Sequence, residues 1–262
     1  MKIPSDMTEG YVHKTSHGDI KIISYTTSKS VLVRFVSTGY EVETNTQNIR
    51  TGRIKDRLTK TVHGVGCIGD GKHKPTSGRN RTKAYSVWCG IIARCYSVND
   101  REKYKWYNDC SVSAEWLNFQ NFADWYEKQP NANREYFDID KDVLIHGNRV
   151  YSKDACMLVH KDVNYLFLCD SDKSLPVGVC YDKLANGYRS SCYHSGVEHG
   201  IFTKDLKEAC NHYVIEKLNS VKIAHQKHYS GDDFMKEVLT KKLISFLEDN
   251  GHEQASHLIK GW

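Results

Sequence analysis

The chain has 262 residues, 39% of them hydrophobic and 26% charged, with a formal net charge of +5. That composition suits one large domain or two to three small ones, each with ample material for a core. No run of about 18 apolar residues offers a membrane span, and the opening MKIPSDMTEGYVHKTSHGD has no apolar signal-peptide core, so the expectation is a cytoplasmic protein with no membrane partner.

In chain order, Ile20 and Ile22, then Val31, Val33 and Phe35, alternate with polar residues across Thr26-Thr27-Ser28-Lys29. This period of two predicts a β-hairpin, with a third strand around Tyr40–Thr44 completing a small sheet. The glycine-rich stretch Gly64–Gly71 follows. It lacks the Gly-Lys-Ser/Thr ending of a phosphate-binding loop. Tyr85, Trp88, Ile92 and Cys95 then repeat at helical spacing, as do Trp116, Phe119, Phe122, Trp125 and Tyr126. Two helices with aromatic core faces are predicted there. Residues 136–159 suggest two strands around a loop, and Lys161–Leu168 a short closing helix. Val177–Tyr181, Gly187–Tyr193 and Gly200–Phe202 read as three short antiparallel strands. Thr203 is expected to cap a helix over Lys204–Ala224, and Asp232–Asp249 is a further helix.

The charge is uneven. Between Thr46 and Lys83 ten lysines and arginines face only Asp56 and Asp70, a local excess of eight. Such a stretch attracts a polyanion by releasing its condensed counterions, although a solvated basic surface would have the same composition. Arg53, Lys55, Arg57, Arg79 and Arg81 are the expected phosphate contacts. Tyr188, Arg189, Tyr193 and His194 sit on one predicted strand, from which side chains can reach base edges; burial of the tyrosines is the alternative. The nine cysteines are scattered singly and none forms a C-x-x-C pair, which suggests free thiols in a reducing compartment. The other option is a zinc site built from Cys95, Cys110 and Cys156 with a histidine.

The middle segment is the most specific. Tyr85-Ser-Val-Trp88, Arg94-Cys95-Tyr96, Cys110–Trp116 and Phe119–Tyr126 are followed in order by Ile139-Asp-Lys-Asp-Val-Leu144, Gly147-Asn148, Tyr151-Ser152, Cys156 and Asn164. This series resembles phage-encoded HNH-type endonucleases, including homing-endonuclease-like proteins, over about Tyr85–Leu168. More loosely, the third segment is similar to the three-strand-plus-helix DNA-binding module of plant ethylene-response factors and phage integrases. Patterning and resemblance together give the expectation of an α+β protein: by patterning, a basic β-rich module over 1–84 and a helical tail over 231–262; by resemblance, an HNH-like ββα nuclease unit over 85–170 and the DNA-binding module over 171–230. It implies a hydrolase that binds double-stranded DNA in the host cytoplasm and cuts a phosphodiester with one Mg²⁺ or Mn²⁺.

Carried over by position, the family's opening Asp-His pair falls on Asp140-Lys141, the middle asparagine on Ala155 and the closing helical ligand on Asn164. Asp140 and Asn164 are thus the implied metal ligands. With the family's histidine replaced by Lys141, which becomes a DNA contact, Asp142, His146 or His160 inherits the role of base. The same replacements fit a degenerate nuclease that binds DNA without cutting it. A third possibility is a phage protein that binds RNA or inhibits a host factor.

Overall fold

The alternating apolar residues of the first segment form an antiparallel meander in the computed structural model, which describes residues 2–98, 107–169, 174–259 and 262. Strands β1 (Val12–His13), β2 (Ile20–Thr27), β3 (Ser30–Phe35) and β4 (Glu41–Thr44) lie side by side in sequence order. The expected hairpin and third strand are present, with β1 as an added edge. Ile20 pairs with Phe35 and Ile22 with Val33; a bulge then shifts the register so that Tyr25 meets Val31. Ile20, Ile22, Val31, Val33 and Phe35 are fully buried against Met7 and against Ile49 of α1 (Thr46–Arg50). Burial of side chains this size contributes roughly 1.5–3 kcal/mol each before entropy is counted.

The glycine-rich stretch owes its composition to close packing. Gly69 has φ +73°, and a Cβ there would lie 1.9 Å from Asn118 Oδ1; Gly71 stands similarly close to Gln120. The loop is fastened by Cys67 N–H donating to Leu117 O (2.9 Å) and by Gln120 Nε2 donating to Ile68 O (3.2 Å) and His73 O (3.0 Å). A two-residue hairpin follows, β5 (Thr76–Ser77) and β6 (Asn80–Arg81). Gly78 at its tip takes the left-handed φ of +61° that tight hairpin turns favour.

Helix α2 (Lys83–Tyr96) starts where the Thr82 hydroxyl accepts from Tyr85 N–H (3.3 Å) and buries Trp88, Ile91, Ile92 and Cys95. The second aromatic stripe is not one helix. After β7 (Ser111–Val112), Trp116 lies on a 3₁₀ turn, Ala114–Leu117, and α3 spans only Phe119–Tyr126. Asn118 breaks the run: its side chain accepts from Gln120 N–H (2.9 Å) as an N-cap, an alternative to helix that asparagine offers the backbone.

The chain divides into two compact units, Met1–Lys128 and Gln129–Trp262. This boundary falls inside the 85–170 stretch expected as a single nuclease domain; the 170/171 boundary lies outside the described residues. In the second unit β8 (Phe137–Asp140) and β10 (Met157–His160) form an antiparallel ladder, with β9 (Val150–Tyr151) in the connection, and α4 (Lys161–Leu166) follows directly. Strands β11 (Val179–Asp182), β12 (Gly187–His194) and β13 (Val197–Thr203) make a three-stranded meander packed on α5 (Leu206–His228). The cap of α5 is Asp205, accepting from Lys207 N–H (2.8 Å), rather than the expected Thr203. Helices α6 (Asp233–Asp249) and α7 (Ala255–Ile259) complete the unit. The protein is therefore α+β, with several small sheets and, among the described residues, seven α-helices. None of these is long and apolar enough to cross a membrane.

Candidate functional site

Strand alternation gives the β11–β13 sheet two different faces. Val179, Ser190 and Cys192 point towards α5 and are buried. The opposite face carries Arg189, Ser191 and Tyr193 on β12, paired with Phe202, Gly200 and Glu198 on β13. Tyr193 is 69% exposed and Phe202 44%. The Arg189 guanidinium sits over the Phe202 ring (5.8 Å) and donates to Asp182 (2.8 Å). Asp182 is fixed in turn by accepting from Leu184 and Ala185 N–H. The expected quartet on this strand is thereby split. Arg189 and Tyr193 share the open face, whereas Tyr188 is half-buried on the other side, its ring edge-on to Tyr181 (5.2 Å). Adjacent residues on a strand point to opposite faces, which places Tyr188 on the sheet side that α5 packs against.

In the first unit Arg53, Lys55, Arg57, Arg79 and Arg81 are all exposed. Arg79 stands at the hairpin tip, Arg81 lies over the Tyr85 ring (5.7 Å) and Arg57 approaches Asp70 (3.7 Å). A cleft of about 690 Å³ beside the hairpin is lined by Lys72, Lys74, Thr76, Ser77 and Thr82, with His73 and Glu127 in its wall.

The residues matched to the nuclease motif are not gathered at one point. Asp140 Oδ1 accepts from the backbone N–H groups of Asp142 (2.8 Å) and Val143 (2.7 Å). Burial, and then the charge of Asp142, push the Asp140 carboxyl above the usual range. For Asp142, burial acts in the same upward direction but is outweighed by Lys242 Nζ, 2.9 Å away, with help from Lys141 at 3.3 Å. Its carboxyl is held below the usual range. Two ammonium groups therefore already neutralise Asp142, and they oppose a divalent cation there. Lys141, its side chain 13% exposed, takes part in this pair. Asn148 closes the turn, donating to Lys141 O (2.6 Å) and Val150 O (2.8 Å). Ala155 is buried, and His146 pairs with Asp249 (2.7 Å).

His160 lies at the other end of the ladder, opposite Phe137, while Asp140 faces Met157. Three residues of strand separate the two by about 10 Å. The His160 ring is stacked on His228 (3.5 Å), and its Nδ1 accepts from Asp162 N–H (3.2 Å) at the start of α4. His228 Nε2 donates to Asp162 Oδ2 (2.7 Å), which also receives Lys227 Nζ (3.0 Å). Asn164 is half-buried on the same short helix. His160, Asp162 and His228 each place a potential ligand atom within 4.8 Å of the others, as do His194, His199 and Glu216. Neither cluster includes Cys95, Cys110 or Cys156. The Cys156 thiol is pushed up to about 12 by burial, so it is chemically quiet.

No protein-family model, curated protein or solved structure matches this chain.

His228, Asp162, Lys242 and Glu216 escaped the sequence reading because each acts across a separation that periodicity does not report. The only available signal for the last was Glu216 on the predicted helix after a strand carrying His194.

A pH dependence follows from the His160 cluster. Burial, and then the neighbouring His228, hold the His160 imidazole below its ordinary value of 6.5. Burial does the same to His252. A histidine whose folded pKa is lowered contributes stability that is fully present above 6.5 and lost as pH falls through the folded value. The urea midpoint of the second unit is expected to drop between about pH 7 and 5, with a flatter profile in His160→Gln. A midpoint constant over that range would contradict this arrangement.

Proposed function

We propose that this chain binds duplex DNA through the open face of β11–β12–β13, and that its β8–β10–α4 segment is an HNH-like nuclease unit of the phage type that no longer cuts. The observation that carries the binding is the pairing of Arg189 with Phe202 beside exposed Tyr193, on the sheet face turned away from α5. A β-ribbon fits the major groove of B-DNA, where an arginine can read guanine and an aromatic or apolar group the thymine methyl. The first unit adds sequence-independent attraction through Arg53, Lys55, Arg57, Arg79 and Arg81. Loss of cleavage rests on the two lysines at Asp142 and on Asp140 being occupied by backbone amides.

A second reading, a Mg²⁺- or Mn²⁺-dependent DNA endonuclease, is favoured by one observation. His160 stands at the strand–helix junction with Asp162 and His228, each placing a potential ligand atom within 4.8 Å of the others.

Both readings meet in one experiment. Fluorescence anisotropy with mixed-sequence duplexes is expected to show affinity falling steeply with salt, and falling roughly tenfold in Arg189→Ala/Tyr193→Ala, on the scale of one good base contact. Tyr188→Phe should bind as the parent does. Salt-insensitive binding, or a preference for RNA, overturns the proposal in favour of an RNA-binding or host-directed role. In parallel, supercoiled plasmid and phage genomic DNA are incubated with Mg²⁺, Mn²⁺ or EDTA. Metal-dependent nicking lost in His160→Ala establishes the endonuclease instead.

A further inference from the structure

We propose that His194, His199 and Glu216 form a binding site for a divalent zinc-class ion that staples the β12–β13 hairpin to α5. Alternation along the strands places His194 and His199 on the helix side of the sheet. His199 is directly opposite Cys192, so the two histidines are diagonal neighbours near the hairpin turn. Glu216 reaches them from the facing side of α5. His194 Nε2 is 2.8 Å and His199 Nδ1 3.8 Å from the same Glu216 oxygen, and one potential ligand atom of each residue lies within 4.8 Å of the others. These separations bracket the roughly 3.3 Å between ligand atoms around a tetrahedral ion with bonds near 2.0–2.1 Å.

The histidine rings are stacked at 3.9 Å and 9°; a shared ion lies in the plane of both imidazoles, so each ring must turn about χ2, a soft torsion, to hold it. Two further observations favour an ion. Among the described residues, the rings' outer nitrogens, His194 Nδ1 and His199 Nε2, are buried with no hydrogen-bond partner, and the strongest interaction open to either ring is therefore on the Glu216 side. The carboxylate itself is uncommitted to a cationic side chain. Asp142 and Asp162 each hold a lysine, but among the described residues no lysine or arginine pairs with Glu216. Two imidazoles and one carboxylate select zinc, cobalt or nickel over magnesium or calcium and leave one position for water.

The test uses full-length protein stripped with chelator and then titrated with Co²⁺ and Zn²⁺. One equivalent of Co²⁺ is expected to give the intense visible bands of a tetrahedral site, bleached by Zn²⁺, and Zn²⁺ is expected to raise the thermal midpoint. Both effects should disappear in Glu216→Gln and in His199→Ala and persist in Asp162→Asn, which disables the other histidine cluster. Circular dichroism of each metal-free variant establishes that it is folded. Bands that survive both Glu216→Gln and His199→Ala, bands lost only in Asp162→Asn, or no bands at all would each overturn the assignment. None of these readouts involves DNA, so the site stands or falls separately from the proposed activity.

Discussion

Trp88→Ala is expected to destabilise the first unit by about 3–5 kcal/mol, the usual range for deleting a large buried aromatic. Trp88 is fully buried, packs on Tyr85 (5.7 Å between ring centres) and Phe119 (5.5 Å), and donates its indole N–H to Trp116 O (2.7 Å). Gly66 comes so close that a Cβ there would lie 2.9 Å from the ring. One side chain thus ties together α2, α3, the 3₁₀ turn and the glycine loop, and alanine leaves both a cavity and an unpaired buried carbonyl. Urea unfolding followed by tryptophan fluorescence measures the loss. Trp88→Phe keeps most of the volume and is expected to lose only about 1–3 kcal/mol, chiefly from the orphaned carbonyl. A loss under about 1 kcal/mol for Trp88→Ala, far below the range for such cavities, would show that the site collapses freely.

The second large effect is Gly178→Ala. Gly178 has φ +75°, and a Cβ there would sit 2.0 Å from Tyr213 Cε2. Tyr213 is buried and its ring is stacked on His252 (5.2 Å), which is itself fastened to Val177 O (2.9 Å). The ring has no easy retreat. Left-handed backbone costs about 1 kcal/mol for alanine and overpacking about 1–3 kcal/mol more, giving an expected loss of about 2–4 kcal/mol. Gly196→Ala is the control: its φ is +79° but nothing lies within 4 Å of the added methyl, so only the backbone cost should appear. Equal losses for the two substitutions would show that Tyr213 yields. Adding Tyr213→Leu to Gly178→Ala should recover part of the difference.

The fold was more legible than the site. Ile20, Ile22, Val31, Val33 and Phe35 alternate cleanly because one face of their sheet is buried. The same logic located β12 and the helix that backs it. Asn118 hid the break between the 3₁₀ turn and α3, since an aromatic stripe continues across it and only the capping hydrogen bond ends the run. At the motif, Asp140 could be aligned from sequence. That its oxygen is taken up by two backbone amides, and that Lys242 reaches back a hundred residues to Asp142, depends on tertiary packing. Tyr188 illustrates a different limit: it neighbours Arg189 in sequence, yet the pleat sends the two to opposite sides of the sheet.

Among the described residues, both sheets of more than two strands join strands that are consecutive in sequence. Entropy favours such wiring, because closing a short loop costs less than closing a long one, by about 0.6 kcal/mol per doubling. The β8–β10 ladder must instead close a loop over residues 141–156, and it is the slower element to nucleate. The meander of the first unit is complete at Thr44, so during synthesis it can close as its strands leave the ribosome, long before the second unit has been made.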